Sequence, residues 1–327
     1  MILKEISRLD TVQPGVPDDL FIGCVSFEER CRKALVSGTD YKARYIMLFF
    51  YPELGPREKH RVKDNRTIMQ QAADERKEKG GRVEIVRPPR SDARAGFDIL
   101  VDSLRRLERD SAGRPLRITF DITTFTKSYF LVLLRALENA HRADVQLVYV
   151  EPAYYMPEKL TAGVRTVGYV PFYNGHPSPS RPDLLVIFLG FEGDRAYAIW
   201  EHFEPEKSIA FVGNPGYDPT YAECAERLNR TLLDERGVER RDVRARDPDA
   251  VCRELEGIWA DHKYYNLLIA PLGTKPETLG VYLFKRSNPD CPAQVVYASA
   301  GHYFGEYYSR GSGRMWRGQL AEVAGRK

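Results

Sequence analysis

Short apolar runs alternate with longer amphipathic stretches along the first half of the chain. The apolar runs occupy residues 19–24, 43–51, 82–87, 118–121 and 144–150 and are predicted to be strands. The run at residues 43–51 lacks polar alternation, which is typical of a strand buried on both faces. Between the strands, residues 58–79 read as a long charged helix that Gly80 and Gly81 stop, and residues 96–110 have the apolar spacing of a helix. This alternation predicts an α/β fold in which helices flank a mainly parallel sheet, as in a Rossmann-like unit.

The second half of the chain repeats the same order of elements. Residues 184–190 and 207–213 correspond to the first two strands. Further along, NLLIAPLGTK at residues 266–275 corresponds to ITFDITTFTK at residues 118–127, and AQVVYASAGHYF corresponds to VQLVYVEPAYY. Because a whole series matches in order, we predict an internal duplication that gives two Rossmann-like units related by a pseudo-twofold axis.

A segment rich in proline and tyrosine separates the two repeats. Its breakers indicate an irregular connection rather than a further strand or helix. We therefore expect unit 1 at residues 1–175, a proline-rich linker at residues 176–183 and unit 2 at residues 184–327. Unit 2 would end in a tail rich in aromatic residues, glycine and arginine.

The composition narrows the class of protein. The net charge of +3 neither requires nor excludes nucleic acid as a partner, and direct binding of DNA or RNA is not predicted. The five cysteines form no C-x-x-C pair, so we expect reduced thiols in a cytoplasmic protein. No metal site is expected, because the six histidines do not pair with cysteines at ligand spacing. No apolar run is long enough for a signal peptide or a membrane span.

The loop after the first strand has the same residue types in both repeats. It carries Gly23, Ser26, Phe27, Glu28 and Arg30 in the first repeat, and Gly190, Phe191, Glu192 and Arg195 in the second. Glycine lets a ligand approach the backbone, a helix N-terminus favours anions, and arginine binds phosphate with two donors. The alternative is an ordinary turn whose acidic residue complements the helix dipole and whose arginine is solvated.

The loop after the fourth strand supplies hydroxyl groups and a lysine. Its candidates are Thr124, Thr126 and Lys127 in the first repeat, and Gly273, Thr274 and Lys275 in the second. Hydroxyl and ammonium groups bind phosphate, but this is not a Walker A loop, since the preceding G-x-x-x-x-G is absent. The alternative is that the threonines only cap the following helices.

Two carboxylates beside these loops, Asp121 and Glu28, are candidates for acid–base chemistry. Because Ala270 replaces Asp121 in the second repeat, such chemistry would belong to one unit only. The alternative for Asp121 is a carboxylate that accepts hydrogen bonds from the turn. The tail offers Tyr303, Tyr307, Tyr308 and Trp316 among arginines, which either stack nucleic-acid bases or pack as a terminal segment.

The turns DITTFTK and PLGTK resemble the motif after the fourth strand in CARF domains, Rossmann-like sensors of cyclic oligonucleotides in type III CRISPR immunity. The fused duplication resembles SAVED domains, in which two CARF-like units in one chain read cyclic nucleotides in antiphage signalling. The resemblance implies a ligand at the junction of the two units, contacted by the loops after strands one and four. The contacts it implies are Gly23, Ser26, Phe27, Arg30, Thr124, Thr126, Lys127, Gly190, Phe191, Arg195, Gly273, Thr274 and Lys275.

The resemblance therefore implies a sensor, or sensor subunit, for a nucleotide-derived second messenger in prokaryotic antiphage defence. An effector protein encoded nearby is a further expected partner, because the chain shows no space for an appended effector. No cofactor and no membrane contact are expected. The alternative is a nucleotide-processing enzyme, either a ring-nuclease-like phosphodiesterase or a nucleotide hydrolase, using the same cleft. Whether the protein is an enzyme stays open at this point.

Overall fold

The computed structural model describes residues 1–52, 56–156, 160–304, 309–320 and 323–324. The chain divides into two compact units. The first unit consists of Met1–Met156 together with Tyr308–Lys327, and the second consists of Pro157–Tyr307. Each unit has a sheet of mostly parallel strands flanked by helices, so the predicted class of two Rossmann-like α/β units is confirmed.

The strands, in chain order, are β1 (Lys4–Ile6), β2 (Asp18–Val25), β3 (Ala43–Phe50), β4 (Lys77–Val86), β5 (Leu116–Asp121), β6 (Arg142–Val150), β7 (Thr161–Tyr169), β8 (Asp183–Leu189), β9 (Lys207–Gly213), β10 (Val238–Val243), β11 (Asn266–Pro271), β12 (Gln294–Tyr303), β13 (Met315–Gln319) and β14 (Val323–Ala324). The central strands β2 and β11 are buried at every position. This burial explains why they read as continuous apolar runs in the sequence.

The helices, in chain order, are α1 (Lys33–Ser37), α2 (Pro56–Arg76), α3 (Ala93–Asp110), α4 (Lys127–Leu137), α5 (Gly193–Phe203), α6 (Tyr221–Leu228), α7 (Arg230–Leu233), α8 (Pro248–Asp261) and α9 (Lys275–Ser287). A 3-10 turn at Glu29–Arg32 precedes α1. Among the described residues, every helix is too short or too polar to cross a lipid bilayer.

One predicted helix ends early. The sequence places it at residues 58–79, with Gly80 and Gly81 as the stop, but α2 ends at Arg76 and both glycines lie inside β4. The register of β3 against β4 shifts between Ala43 and Tyr45. Gly80 has a φ of +82°, a left-handed conformation that glycine adopts without a steric penalty. The glycine pair therefore marks an irregularity in a strand and not a helix end.

The parallel strands of the first unit lie in the order β4-β3-β2-β5-β6, and those of the second lie in the order β10-β9-β8-β11-β12. Counted within each repeat, both sheets have the order 3-2-1-4-5. The order reverses between the first and fourth strands, which are β2 and β5 in the first unit and β8 and β11 in the second. Ligands of open α/β sheets bind at the carboxyl ends of the strands beside such a reversal.

The sixth strand of each repeat is exchanged between the two sheets. β7 follows the fifth strand of the first repeat, yet it pairs antiparallel with β12 in the second sheet. β13 follows the fifth strand of the second repeat, yet it pairs antiparallel with β6 in the first sheet, where β1 lies on its other side. Each fifth strand thus gains a neighbour that satisfies its outer N–H and C=O groups.

This exchange differs from the predicted domain limits. The sequence assigned residues 161–169 to unit 1 and the tail to unit 2, whereas the pairing of β7 and β13 places each in the other sheet. Sequence order could not show the difference, because antiparallel pairing at a sheet edge joins residues that are distant along the chain.

Candidate functional site

The loops after the first and fourth strands meet in both units. In the first unit the Thr124 hydroxyl donates to the carbonyl of Cys24 at 2.7 Å. In the second unit Gly190 packs directly against the carbonyl of Leu272, so that an added Cβ would lie 2.6 Å from that oxygen. The loops that the sequence singled out are therefore adjacent within each unit, at the reversal of strand order.

A buried ion pair organises the first of these loops in unit 1. The guanidinium of Arg30 donates to Glu28 from Nε at 2.9 Å, and its Nη2 lies 2.8 Å from the same carboxylate oxygen. Its Nη1 donates at 2.9 Å to the carbonyl of Val150, at the end of β6. The Ser309 hydroxyl donates to Glu28 from the returning C-terminal segment. The pair therefore ties the first loop to the fifth strand.

Unit 2 contains an equivalent buried ion pair. Arg195 pairs with Glu192, and its Nε donates at 2.6 Å to the carbonyl of Ala298 in β12. Its guanidinium lies 4.7 Å from the ring centroid of Tyr297. Burial lowers the pKa of Arg195, but Glu192, Tyr297 and Tyr303 together outweigh it and raise that pKa well above its usual range. A charged guanidinium locked to a carboxylate is the arrangement that burial requires.

The two arginines predicted to contact a ligand therefore lie inside the protein. Arg30 and Arg195 are 4% and 1% exposed, and both are held by a carboxylate and a backbone carbonyl. The sequence offered two roles for these arginines, binding a phosphate or lying in solvent. Their burial and their internal partners fit neither role. The repeated Glu–Arg pattern therefore has the same structural role in both units.

Three other residues that were predicted in the loops after the first strands lie in a strand or in the core. Gly23 lies within β2 and not in the loop, because the strand continues to Val25, opposite Phe50 of β3. Phe27 is buried in a core cluster with Cys31 and Leu35. Phe191 is buried against the ring of Tyr221, with centroids 4.9 Å apart. These positions give both phenylalanines a packing role.

Ser26 alone among these candidates is half-buried at the mouth of its loop. Its hydroxyl accepts from the backbone N–H of Glu28 at 3.4 Å. Its carbonyl accepts from the Asn65 side chain of α2 at 2.9 Å. The loop is therefore held by hydrogen bonds from two directions.

The loop after the fourth strand ends at a helix cap in both units. Thr126 is the N-cap of α4, where its hydroxyl accepts from the N–H of Tyr129, and Lys127 is the first residue of the helix. Thr274 is the N-cap of α9, and Lys275 is its first residue. Thr126 and Thr274 therefore cap the following helices, a role that is compatible with ligand contact. Both lysines are half-buried at their helix N-termini.

The cap of α9 includes an internal carboxylate. Thr274 and Glu277 form a capping box, in which the Glu277 carboxylate accepts from the backbone N–H of Thr274. Thr274 also donates to the carbonyl of Ala245 at 2.7 Å. An added Cβ on Gly273 would collide with the Glu277 carboxylate, so that carboxylate lies directly over the turn. Glu277 is fully buried there.

The cap of α4 has a different residue at the position of Glu277. Tyr129 stands there, and its hydroxyl donates away from the turn to the carbonyls of Pro89 and Asp92. Tyr129 brings no negative charge to the start of α4, so the two related loops differ in charge. The capping-box pattern T-x-x-E was visible in the sequence of the second repeat.

Tyr51, which sequence reasoning missed, lies beside the cap of α4. Its ring packs edge-on against Tyr129, with centroids 4.9 Å apart, and the guanidinium of Arg90 lies 5.4 Å from its centroid. Burial raises the pKa of Tyr51 well above its usual range, Cys24 and Tyr129 raise it further, and the Thr126 hydroxyl and Arg90 lower it. Only its position after β3, at the same sheet edge, could have signalled it.

The hydroxyl of Tyr51 is buried but unsatisfied. Tyr51 is 4% exposed, and its oxygen forms no hydrogen bond with any residue that the structure describes. A buried polar atom without a partner is costly, so it is a feature that needs a reason.

Both candidate catalytic carboxylates already accept hydrogen bonds from groups within the protein. Asp121 is 2% exposed and accepts from the N–H of Thr123 at 3.0 Å and from the Thr123 hydroxyl. This is the turn-bonded carboxylate that the sequence offered as the alternative. Glu28 is held by Arg30 and Ser309. All five cysteines are free thiols, and burial raises the pKa of Cys31, which disfavours the nucleophilic thiolate.

The aromatic tail packs as strand. Trp316 lies in β13, between β6 and β1. The Arg314 guanidinium lies 5.2 Å from the Trp316 ring centroid, and its Nε pairs with Glu151 at 3.3 Å. Tyr307 and Tyr308 lie outside the described residues. The described part of the tail therefore follows the packing alternative.

A cavity of about 590 Å³ lies at the opposite edge of the first sheet, where β3 and β4 begin. Its charged lining includes Asp19, Arg44, Glu78, Arg82 and Arg109. Arg44 pairs with Asp19 at 3.7 Å and with Glu78 at 3.3 Å, so both of these carboxylates are next to a cation. Within the described ranges, no group of three His, Cys, Asp or Glu residues is placed to hold a metal ion.

No family model and no curated protein matches this chain. Two solved structures are similar at 11% sequence identity. An N-terminal ketoreductase from the macrolactin assembly line has a TM-score of 0.26, over 89% of this chain and 72% of that one. A short-chain dehydrogenase from Mycobacterium smegmatis has a TM-score of 0.25, over 91% of this chain and 97% of that one. Scores this low do not bear on the function.

Proposed function

We propose that this chain binds a nucleotide-derived second messenger, a cyclic oligonucleotide, and acts as a sensor or sensor subunit in prokaryotic antiphage defence. One observation carries the proposal. In both units the loops after the first and fourth strands meet at the reversal of a 3-2-1-4-5 sheet, where nucleotides bind in folds of this kind. The partner would be an effector protein that responds when the ligand is bound.

The chemistry of the fourth-strand loops supports an anionic ligand. Thr126 and Lys127 lie at the N-terminus of α4, where backbone N–H groups and the helix dipole favour negative charge. Asp121 and Glu28 are buried, and neither carboxylate faces solvent. This favours binding of the ligand over its cleavage.

The test is a panel of cyclic di-, tri-, tetra- and hexanucleotides, incubated with the full chain. We expect one member to raise the melting temperature and to be recovered intact, because a ligand that binds only the folded state stabilises it. Recovery of a cleaved or linearised product would instead support the phosphodiesterase. The absence of both a thermal shift and a product across the panel would remove the proposal.

A further inference from the structure

The cavity where β3 and β4 begin is lined mostly by charged side chains. It lies between β3, the edge strand β4 and the end of α3, and its volume of about 590 Å³ suits a small molecule. Among the described residues that line it, Leu107 is the one aliphatic side chain. A ligand of this cavity would therefore be held by charge and hydrogen bonds. The lining has five cations, which are Arg44, Lys79, Arg82, Arg106 and Arg109.

Four of these cations have no carboxylate partner. Arg44 lies between Asp19 at 3.7 Å and Glu78 at 3.3 Å. Asp19 is also held by Arg114, which donates to it from both Nη atoms at 2.6 Å. The other four cations form no ion pair with any residue that the structure describes. Asp110 is the one further carboxylate in the described lining. The cavity therefore has an excess of positive charge that the protein does not neutralise.

Two of the unpaired arginines are held in position by uncharged groups. The Arg82 guanidinium lies 3.8 Å from the ring centroid of Tyr45, and that buried ring is fixed by its hydroxyl, which donates to Glu84 at 2.6 Å. Arg106 donates from Nη2 to the hydroxyl of the buried Ser103 at 3.1 Å. A guanidinium has five N–H donors, so both arginines keep donors for a ligand and lose little freedom when they bind it.

An irregularity in β4 forms one wall of the cavity. The register against β3 shifts there, so that Glu78–Gly81 lie opposite Arg44 alone. Gly80 has a φ of +82°, and an added Cβ on Gly81 would lie 2.5 Å from the Arg44 carbonyl. Both positions therefore require glycine. Bulges of this kind redirect side chains, and here the bulge brings Lys79 to the cavity.

The second repeat shows what the fold itself requires at this end of the sheet. Its strand β10 pairs with β9 without a register shift. There Arg240 pairs with Glu226 at 2.6 Å and with Asp242 at 2.7 Å, and Arg241 pairs with Glu239 at 2.6 Å. The helix α8, which corresponds to α3, has no basic residue in its last turn. Protecting a sheet edge or complementing a helix dipole therefore does not require unpaired arginines in this fold.

We propose that this cavity of unit 1 binds a chain of linked phosphate groups carried by a small molecule. The guanidinium groups of Arg82, Arg106 and Arg109 bind the phosphate oxygens, and Lys79 adds a further positive charge. Arg82 covers the ring of Tyr45, the aromatic residue of the lining, so the phosphate chain is the part of the ligand that is recognised. This site goes beyond the proposed function, because it lies away from the loops after the first and fourth strands.

The test is isothermal titration of the full chain with inorganic tripolyphosphate, at about 0.1 M salt, which screens charges that do not contact the ligand. We expect one equivalent to bind. Arg82→Gln and Arg109→Gln should each weaken binding by about tenfold or more, since a hydrogen bond to a charged group contributes on that scale. Arg105→Gln is the matched control, because Arg105 lies in the same helix as Arg109, pairs with Asp102 and does not line the cavity.

The control should bind tripolyphosphate like the unaltered chain. Equal losses in all three variants would overturn the proposal, as would no binding at millimolar tripolyphosphate. Arg109 is exposed and has no internal ion pair, so Arg109→Gln should keep its melting temperature while it loses affinity. Arg82→Lys keeps the charge and removes the planar fork. Full affinity in Arg82→Lys would contradict the role given to that guanidinium.

Two further ligands identify the source of the phosphates. Orthophosphate should bind about tenfold more weakly than tripolyphosphate or worse, because it reaches fewer of the cations. Equal affinities would overturn the assignment to a phosphate chain. A single-stranded oligonucleotide should bind less tightly than tripolyphosphate. Tighter binding of the oligonucleotide that is lost in Arg82→Gln and Arg109→Gln would point to a nucleic-acid backbone and overturn the assignment to a small molecule.

The same titrations separate this inference from the proposed function. Tripolyphosphate binding without a response to any cyclic oligonucleotide would keep this site and remove the proposed function. A cyclic oligonucleotide that binds equally well to Arg109→Gln and to the unaltered chain would show that the two sites are separate. A cyclic oligonucleotide whose binding is lost in Arg109→Gln would show a single site and overturn this inference.

Discussion

The two units share their strand order and their buried ion pair, but they differ at the start of the helix after the fourth strand. Glu28–Arg30 and Glu192–Arg195 each anchor the first loop to the fifth strand. Beyond that anchor, α4 begins with a cap of one threonine, whereas α9 begins with a capping box. What the repeats share therefore serves folding, and what they do not share is where a function specific to one unit should be sought.

The largest expected effect on stability comes from breaking the buried Glu–Arg ion pair that both units share. Arg195→Met should lower the free energy of unfolding by about 3–5 kcal/mol, because it leaves the buried Glu192 carboxylate without its counter-charge. Arg30→Met should cost a similar amount in unit 1. Urea denaturation with a probe in each unit measures both.

The double variant Glu192→Gln/Arg195→Met is the control for this prediction. It should recover most of the stability lost in Arg195→Met, since no unpaired charge remains. A loss below about 1 kcal/mol in both single variants would show that the ion pairs are not the shared anchor.

A buried carboxylate at the start of β2 should give unit 1 its own dependence on pH. Burial raises the pKa of Asp18 to about 6 from 3.8, against the hydrogen bonds from Thr119, Val12 and Tyr41 and the charge of Arg117. A raised pKa means that the folded state holds the proton more tightly. The stabilisation is complete below pH 3.8 and is lost as the pH rises through 6, by about 3 kcal/mol in total.

Comparison with Asp18→Asn isolates this dependence from that of other carboxylates. Relative to the unaltered chain, the variant should gain about 3 kcal/mol in unfolding free energy between about pH 4 and pH 8. Unit 2 should show no such difference, because Pro182 precedes β8 at the corresponding end of its sheet. A difference that stays constant over this range would contradict the prediction.

The smallest effect concerns the two caps. Thr126→Ala should cost about 1 kcal/mol, and Thr274→Ala about 2 kcal/mol, because Thr274 also belongs to the capping box and donates to the carbonyl of Ala245. Thermal unfolding of both variants measures the difference. Serine at either position should restore most of the loss, and equal losses would mean that the capping box adds nothing in unit 2.

The sequence predicted the parts of the fold that depend on local pattern. The buried strands at residues 43–51 and 118–121 read as apolar runs, and the series of matches revealed the duplication. The exchange of β7 and β13 could not be predicted, because it depends on which sheet edge each strand meets. Neither strand is apolar throughout, so nothing local distinguished them from a linker and a tail.

The site was predicted in outline and not in detail. The two loops lie together, as expected for strands next to a reversal of order, and the caps follow from threonine before a helix. The roles of Arg30 and Arg195 were not predictable, because the sequence shows a charge but not the carbonyl of a distant strand that accepts from it. Tyr51 was missed for the same reason, since its contacts are with Tyr129 and Arg90, which are distant along the chain.

The position of β13 has a consequence for synthesis on the ribosome. Its partner β6 ends at Val150, whereas β13 begins at Met315, so the whole second unit is translated between them. During that interval β6 has an unpaired outer edge, while unit 2 receives β7 before its own core strands emerge. The second unit can therefore complete its sheet first, although it comes later in the chain. A chaperone that protects open sheet edges would be needed most by the nascent first unit.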